Sequence, residues 1–343
     1  MLRVVRDRRR LLKRVAAVAF VVVVFVIVLP RVADYRDVWD VVKGLDAESI
    51  LVLAVATIAN LATFGPPLMS VLPGLGYWRS FVVTQASTAS TYIAPGGAAV
   101  GIAAMLVLLR RWGFRTSAVG LAVALTGLWN QFAVLGFPAV ALALLTLTGG
   151  KNPLLQTVAV IGFSIFVAAV VAFAVTLASD RFAHRVGGWL HRLAQWGYRI
   201  ARRGPIGWTA EAVVEFRSRT AQLLARRWHV LTVATLAGQL TVFGVLLASL
   251  RTLGVSGGEV SLIEAFAAWS LIRLLGSLPI TPGGIGVIEV GLTTLLVGFG
   301  GSQAEVVAAV LVYRFLTIVP TLVLGLVLGP TIRRRPVLST PEG

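Results

Sequence analysis

Apolar runs of about 18 residues or more recur along the whole chain, more than one soluble core could bury. Coiled as an α-helix, each such run matches the hydrocarbon thickness of a bilayer. Composition agrees, with 57% of the 343 residues hydrophobic, 13% charged and a mean hydropathy of +0.87. The chain therefore reads as an all-α polytopic membrane protein. Its net charge of +17, from 31 Lys and Arg against 14 Asp and Glu, is then a topology signal, and no nucleic-acid partner is needed to explain it. The absence of cysteine excludes disulfides, thiolate metal sites and a thiol nucleophile.

A basic cytoplasmic N-terminus, 1–14, precedes the first apolar run at 15–29. Pro30-Arg31 follows with no small-residue cleavage pair, so this run is expected to remain as an uncleaved span. Loop 31–48 is the least basic of the longer connections and belongs outside, and 49–72 returns inward with a kink at Pro66-Pro67. The apolar stretch 80–109 is broken by Pro95-Gly96-Gly97 and is basic at both ends, with Arg79 before it and Arg110 and Arg111 after it. One continuous span would leave one basic end outside. Two half-helices of about 14 residues, roughly 21 Å each, would instead dip in and return on the same side. Runs 116–148 and 153–178 cross outward and back, completing a first half at 49–178.

Segment 180–228 is rich in arginine and is the main cytoplasmic connection. Within it, 181–203 sets Trp189, Leu193 and Trp196 on one stripe and Arg185, Arg192 and Arg199 on another, as a basic amphipathic helix lying on an anionic leaflet would. The second half, 229–330, repeats the plan. Run 229–253 crosses, 261–299 is broken at Pro279 and at Pro282-Gly283-Gly284, and 305–328 returns to a cytoplasmic tail, 331–343, expected to be disordered. The expectation is one membrane domain over 15–330, with about six transmembrane helices, two re-entrant helical hairpins and both termini inside.

Setting Pro95 on Pro282, an offset of 187, pairs Ser90 with Ser277, Gly96-Gly97 with Gly283-Gly284, and Val100 with Val287. The halves carry the same order of elements with reversed sidedness, which is an inverted repeat of the kind secondary transporters use, with substrate between paired broken helices. The competing reading is that Pro-Gly-Gly only kinks a long helix. A half-helix beginning after Gly97 or Gly284 would offer unpaired N–H groups and a positive dipole end to a phosphate.

Glu264, Arg273, Glu289 and Arg314 interrupt the apolar sequence of the second half. A charge at mid-membrane costs roughly 2.5–3.5 kcal/mol, so each needs a partner, a cavity or a ligand. Either an Arg–Glu pair such as Arg273–Glu289 braces the bundle, or an arginine meets an anionic headgroup while Glu289 positions it. Asn60, Gln85, Asn130, Gln131 and Gln239 also fall in spans and suit interhelical hydrogen bonds. No metal-ligand cluster, nucleotide fingerprint or hydrolase motif occurs, so neither cofactor nor enzyme activity is expected.

The run Leu278-Pro279-Ile280-Thr281-Pro282-Gly283-Gly284-Ile285-Gly286-Val287-Ile288-Glu289, followed by Tyr313-Arg314, resembles the membrane region of bacterial lysylphosphatidylglycerol synthases (multiple peptide resistance factor) and their stand-alone flippase-like relatives, over roughly residues 10–330. The first break departs from the pattern, since Gly96-Gly97-Ala98-Ala99-Val100-Gly101 begins a stretch uncharged until Arg110. The resemblance implies a multi-pass protein of the bacterial plasma membrane that moves a phospholipid or other anionic lipid between leaflets. Arg273, Glu289, Tyr313 and Arg314 would then serve the lipid, beside Pro95, Gly96 and Gly97 at one break and Pro282, Gly283 and Gly284 at the other. The expected partners are membrane lipids with anionic headgroups, a second copy of the chain, or a separate enzyme. The alternative function is a membrane anchor or regulatory subunit for a lipid-modifying or glycosyl-transfer enzyme.

A peptide spanning 181–203 is expected to become helical on anionic vesicles and to bind them less as salt rises. Circular dichroism and vesicle co-sedimentation check this, and equal binding to neutral vesicles contradicts it.

Overall fold

A helix is the simplest element that satisfies every backbone polar group inside lipid, and this chain uses it throughout. The computed structural model describes residues 43–93, 97–147, 153–178, 210–277, 282–284 and 286–329. The expected first span at 15–29, the amphipathic segment 181–203, the tail 331–343, and Pro95 and Gly96 lie outside the described residues. Among those described there are ten α-helices and no strand.

Helix α1, Ala47–Ala62, opens at Asp46, whose carboxylate accepts from the Ser49 N–H at 2.9 Å. It stops before a short turn, and α2, Pro66–Val71, restarts with proline in its first turn, where no N–H is missed. The kink expected at Pro66-Pro67 takes the form of a short interruption at residues 63–65 within the run Ala47–Val71. Two half-helices follow, α3 (Tyr77–Ile93) and α4 (Gly97–Arg111), then two long helices, α5 (Thr116–Leu147) and α6 (Pro153–Ala178). Helix α7 runs from Ala210 to Thr252, so the span expected at 229–253 is the latter part of a 43-residue helix. The half-helices α8 (Leu262–Gly276) and α9 (Val287–Gly298) flank a 3-10 turn at Pro282–Gly284, and α10 (Gln303–Leu328) closes the bundle.

Among the described residues four segments are long and apolar enough to cross a membrane, Ala47–Val71, Thr116–Leu147, Thr220–Thr252 and Gln303–Leu328, and α6 adds a shorter apolar stretch, Val160–Val175. The outward faces agree, since Leu51, Val55 and Ile58 on α1 and Val160, Phe163 and Ile165 on α6 are all exposed. On a soluble protein such a surface would aggregate; here it faces acyl chains. The chain is a multi-pass membrane protein.

The half-helices that flank each break pack against one another. In the first hairpin α3 packs along α4, with the Ser87 hydroxyl donating to the Gly101 carbonyl at 2.7 Å. At its open end the Arg79 guanidinium lies 5.6 Å from the Trp112 ring centre. In the second hairpin α8 packs along α9, with Gly291 against Ile272. Its open end brings Gly300 onto the Glu259 carbonyl.

The hairpins are held by elements of the opposite half. Helix α3 packs on α10, and α8 packs on α5. One apolar core gathers around α2, α3, α4 and the first part of α5, with Val83, Leu109, Val119 and Ala122 fully buried. The other gathers α8, α9 and α10 with the C-terminal part of α7, and Phe137 of α5 joins it. There Phe137, Phe243, Phe266 and Trp269 meet with ring centres 5.2–5.8 Å apart, within the favourable range for aromatic pairs.

The α3–α10 seam depends on Gly325, where an added Cβ would stand 2.5 Å from both the Ala89 Cβ and the Gln85 carbonyl oxygen. Gly325→Ala should therefore force the seam apart and destabilise the protein by about 1–3 kcal/mol, as overpacking does. Gly244→Ala, in open space on α7, should be neutral or stabilising by up to about 1 kcal/mol. Thermal unfolding of both variants in detergent checks the pair.

Candidate functional site

The second break is built around Glu289. Gly286, at φ 85°, sets the entry to α9, and Glu289 falls three residues later, in the first turn. Its Oε2 turns back to accept from the Gly286 N–H at 2.6 Å, while Oε1 accepts from Arg314 Nε of α10 at 2.6 Å. Arg314 Nη2 also donates to the Gly283 carbonyl at 3.1 Å. With only 1% and 4% of their side chains exposed, the two residues form a buried, hydrogen-bonded ion pair. It ties α9 and the turn to α10.

This corrects two expectations. The partner of Glu289 is Arg314 and not Arg273, because α10 packs along α9 while Arg273 faces α7. Glu289 also sits in the first turn, not two turns in, so its own carboxylate occupies the anion-attracting end of α9. A phosphate has no vacant N-terminus there, because the chain supplies the anion itself.

Tyr92, from the end of α3, packs on this turn. A Cβ at Gly283, whose φ is 64°, would lie 2.3 Å from the Tyr92 ring, so both the backbone and the neighbour require glycine. The tips of the two hairpins therefore touch. Gly284 is equally confined, by Ile288, and Pro282 begins the turn. Tyr313 is 2% exposed within the second apolar core and packs there. Of the first break, Gly97 is described and opens α4 at φ 36°. Glu264, expected among the buried charges, caps α8: its Oε2 accepts from the Ser261 N–H at 2.8 Å and from the Ser261 hydroxyl at 2.7 Å.

Arg273 lies elsewhere, on the wall of a cavity of about 420 Å³. Both arms of the first hairpin contribute, through Thr84, Thr88, Ile102 and Met105, and α5, α7 and α8 supply Asn130, Gln239 and Arg273. Arg273 Nε and Nη2 donate to Gln239 Oε1 at 3.1 and 2.9 Å. Gln239 Nε2 in turn donates to Asn130 Oδ1. The guanidinium carbon lies 5.9 Å from the Trp269 ring centre, a cation–π contact. No carboxylate lines the cavity among the described residues.

Arg273, Glu289 and Arg314 thus belong to two constellations. Arg314 and Glu289 are spent on each other and on the turn. Arg273 is a cation held by neutral groups and facing open space. Gln239 and Asn130 were legible as polar residues within spans, but their junction with Arg273 required α5, α7 and α8 to be brought side by side. Asn60 does bond between helices, with its Nδ2 donating to the Thr241 hydroxyl at 3.4 Å, whereas the Gln85 amide is buried without a partner.

Glu289→Gln should destabilise the protein by about 3–5 kcal/mol, because Arg314 is left charged and unpaired. Glu289→Leu combined with Arg314→Met should recover much of that loss, short of about 1–3 kcal/mol for the Gly286 N–H left without an acceptor. Melting of the singles and the double in one detergent checks this, and additive losses contradict it.

None of the curated proteins compared with this chain matches it. The profile of the family described as the lysylphosphatidylglycerol synthase TM region matches residues 14–325, which include both hairpins, the buried ion pair and the cavity. This multi-pass membrane protein belongs to the lysylphosphatidylglycerol synthase transmembrane-region family.

Proposed function

We propose that the protein moves a phospholipid or other anionic lipid between the leaflets of a bacterial plasma membrane, without covalent chemistry. The observation that carries this reading is Arg273, a cation without a carboxylate partner among the described residues, facing a cavity walled by both arms of the first hairpin and by α8 of the second. An arginine so placed in an apolar bundle is costly unless an anion visits it.

Two further observations support a transporter architecture. The offset of 187 that sets Pro95 on Pro282 also sets Thr116, the first residue of α5, on Gln303, the first of α10. Under it the contact of α3 with α10 corresponds to that of α8 with α5, as an inverted repeat with exchanged partners requires. Arg79 beside Trp112 accords with a first hairpin that enters and leaves on one face. The lipid headgroup would pass along the cavity while its chains stay in the surrounding acyl phase, and small rotations of one half against the other would expose the cavity to each leaflet.

The test is lipid movement in liposomes containing the purified protein and a labelled anionic phospholipid. Wild type should equilibrate the label across leaflets, and Arg273→Gln should slow it by about tenfold or more, since a charge-assisted contact is worth roughly 1.5–3 kcal/mol. Single cysteines at 79 and 111 should both label from the same side of the vesicle. Equal rates in protein-free vesicles would contradict the reading, as would labelling of the two sites from opposite faces.

A further inference from the structure

The chain of side chains behind Arg273 has a direction. A guanidinium only donates hydrogen bonds, so Gln239 must turn its amide oxygen toward it. That leaves Gln239 Nε2 pointing at Asn130, which must answer with its own oxygen. The Asn130 Nδ2 group is thereby left to the cavity that Asn130 lines. Arg273, at the other end, keeps its Nη1 donors. One arginine thus fixes two amides so that both ends of the relay present N–H groups. Thr235, on the same wall and 6% exposed, adds a buried hydroxyl with no partner among the described residues.

Among the described residues the surroundings hold no compensating negative charge. Arg273 is the single ionisable side chain among the described residues lining the cavity. Glu289 is neutralised by Arg314, and Glu264 is folded into the cap of α8. Phe64, Ile102, Met105 and Val242 supply the apolar remainder of the wall. Such a site offers donors and one positive charge to a compact anion that carries an apolar body.

Resting on the reading of this cavity as the lipid site, we infer that it selects an unmodified phosphodiester headgroup and rejects a lysylated one, with Arg273 and Asn130 as its two donor ends and Gln239 holding their orientation. The lysylated lipid in the family's description carries two ammonium groups beside its phosphate, and the described residues that line this cavity include no carboxylate to receive them. The lipid moved here is then the anionic diester itself.

The experiment titrates the full chain in detergent with dioleoyl phosphatidylglycerol, its lysylated form and dioleoyl phosphatidylcholine, reading bound lipid by native mass spectrometry. Wild type should hold phosphatidylglycerol roughly tenfold or more tighter than the lysylated form, the scale expected when like charges are juxtaposed. Asn130→Asp can still accept from Gln239 but removes the second donor and adds a negative charge, so the preference should collapse or invert. Thr235→Val removes a buried unpartnered hydroxyl; it should melt no lower than wild type and yet bind phosphatidylglycerol more weakly. Inorganic phosphate at millimolar concentration should not displace the lipid.

Equal or tighter binding of the lysylated lipid by wild type would overturn the inference. So would an unchanged preference in a folded Asn130→Asp, or displacement of the lipid by inorganic phosphate at millimolar concentration. If the lipid order holds while liposomes show no movement, the selectivity stands and the transport reading falls.

Discussion

The ion pair between Glu289 and Arg314 is the interaction on which the second half is assembled. A chain that reverses direction at membrane depth leaves backbone groups unpaired where water is scarce, each costing several kcal/mol if unanswered. Here one carboxylate and one guanidinium answer two of them, a donor and an acceptor. Glu289 accepts from Gly286 N–H, Arg314 donates to the Gly283 carbonyl, and each satisfies the charge of the other. A buried ion pair is weak evidence for net stability, but it is specific about geometry. Only one placement of α9 against α10 lets all three bonds form.

The arrangement also separates two tasks that the sequence leaves mixed. Charges that brace the break are enclosed, and the charge that faces the cavity is held by amides and an aromatic ring. A neutral relay has a physical advantage at a site for an anion. A carboxylate beside Arg273 would cancel the field that attracts the ligand, whereas Gln239 orients the guanidinium and leaves its charge intact.

The two breaks are chemically unequal despite their similar sequences. The second is pinned by charge, and its helix end is filled by its own glutamate. The first hairpin is held in its described part by hydroxyl contacts and small residues, with Ser87 on the Gly101 carbonyl and Gly101 itself against Thr91. Tyr92 bridges them by resting on Gly283, where only glycine fits. The uncharged run after Gly97 is consistent with this division, because the cation of the cavity comes from α8 of the other half.

Apolar run lengths, the flanking arginines and the Pro-Gly-Gly breaks were sufficient to read an all-helical membrane chain and to mark where its long apolar stretches are interrupted. These are local properties, since span length is fixed by bilayer thickness and a proline with two glycines ends a helix wherever it stands. The motif around Glu289 and Arg314 likewise pointed to the family. Partner choice was different. Which arginine meets Glu289 depends on α9 lying along α10, and which amides meet Arg273 depends on α5, α7 and α8 converging, with residues 130, 239 and 273 far apart in sequence. The capping role of Glu264 and the first-turn position of Glu289 turned on where each half-helix starts, a boundary that hydropathy does not mark. Burial makes a charge seek a partner, and only the packing of distant helices decides which partner is within reach.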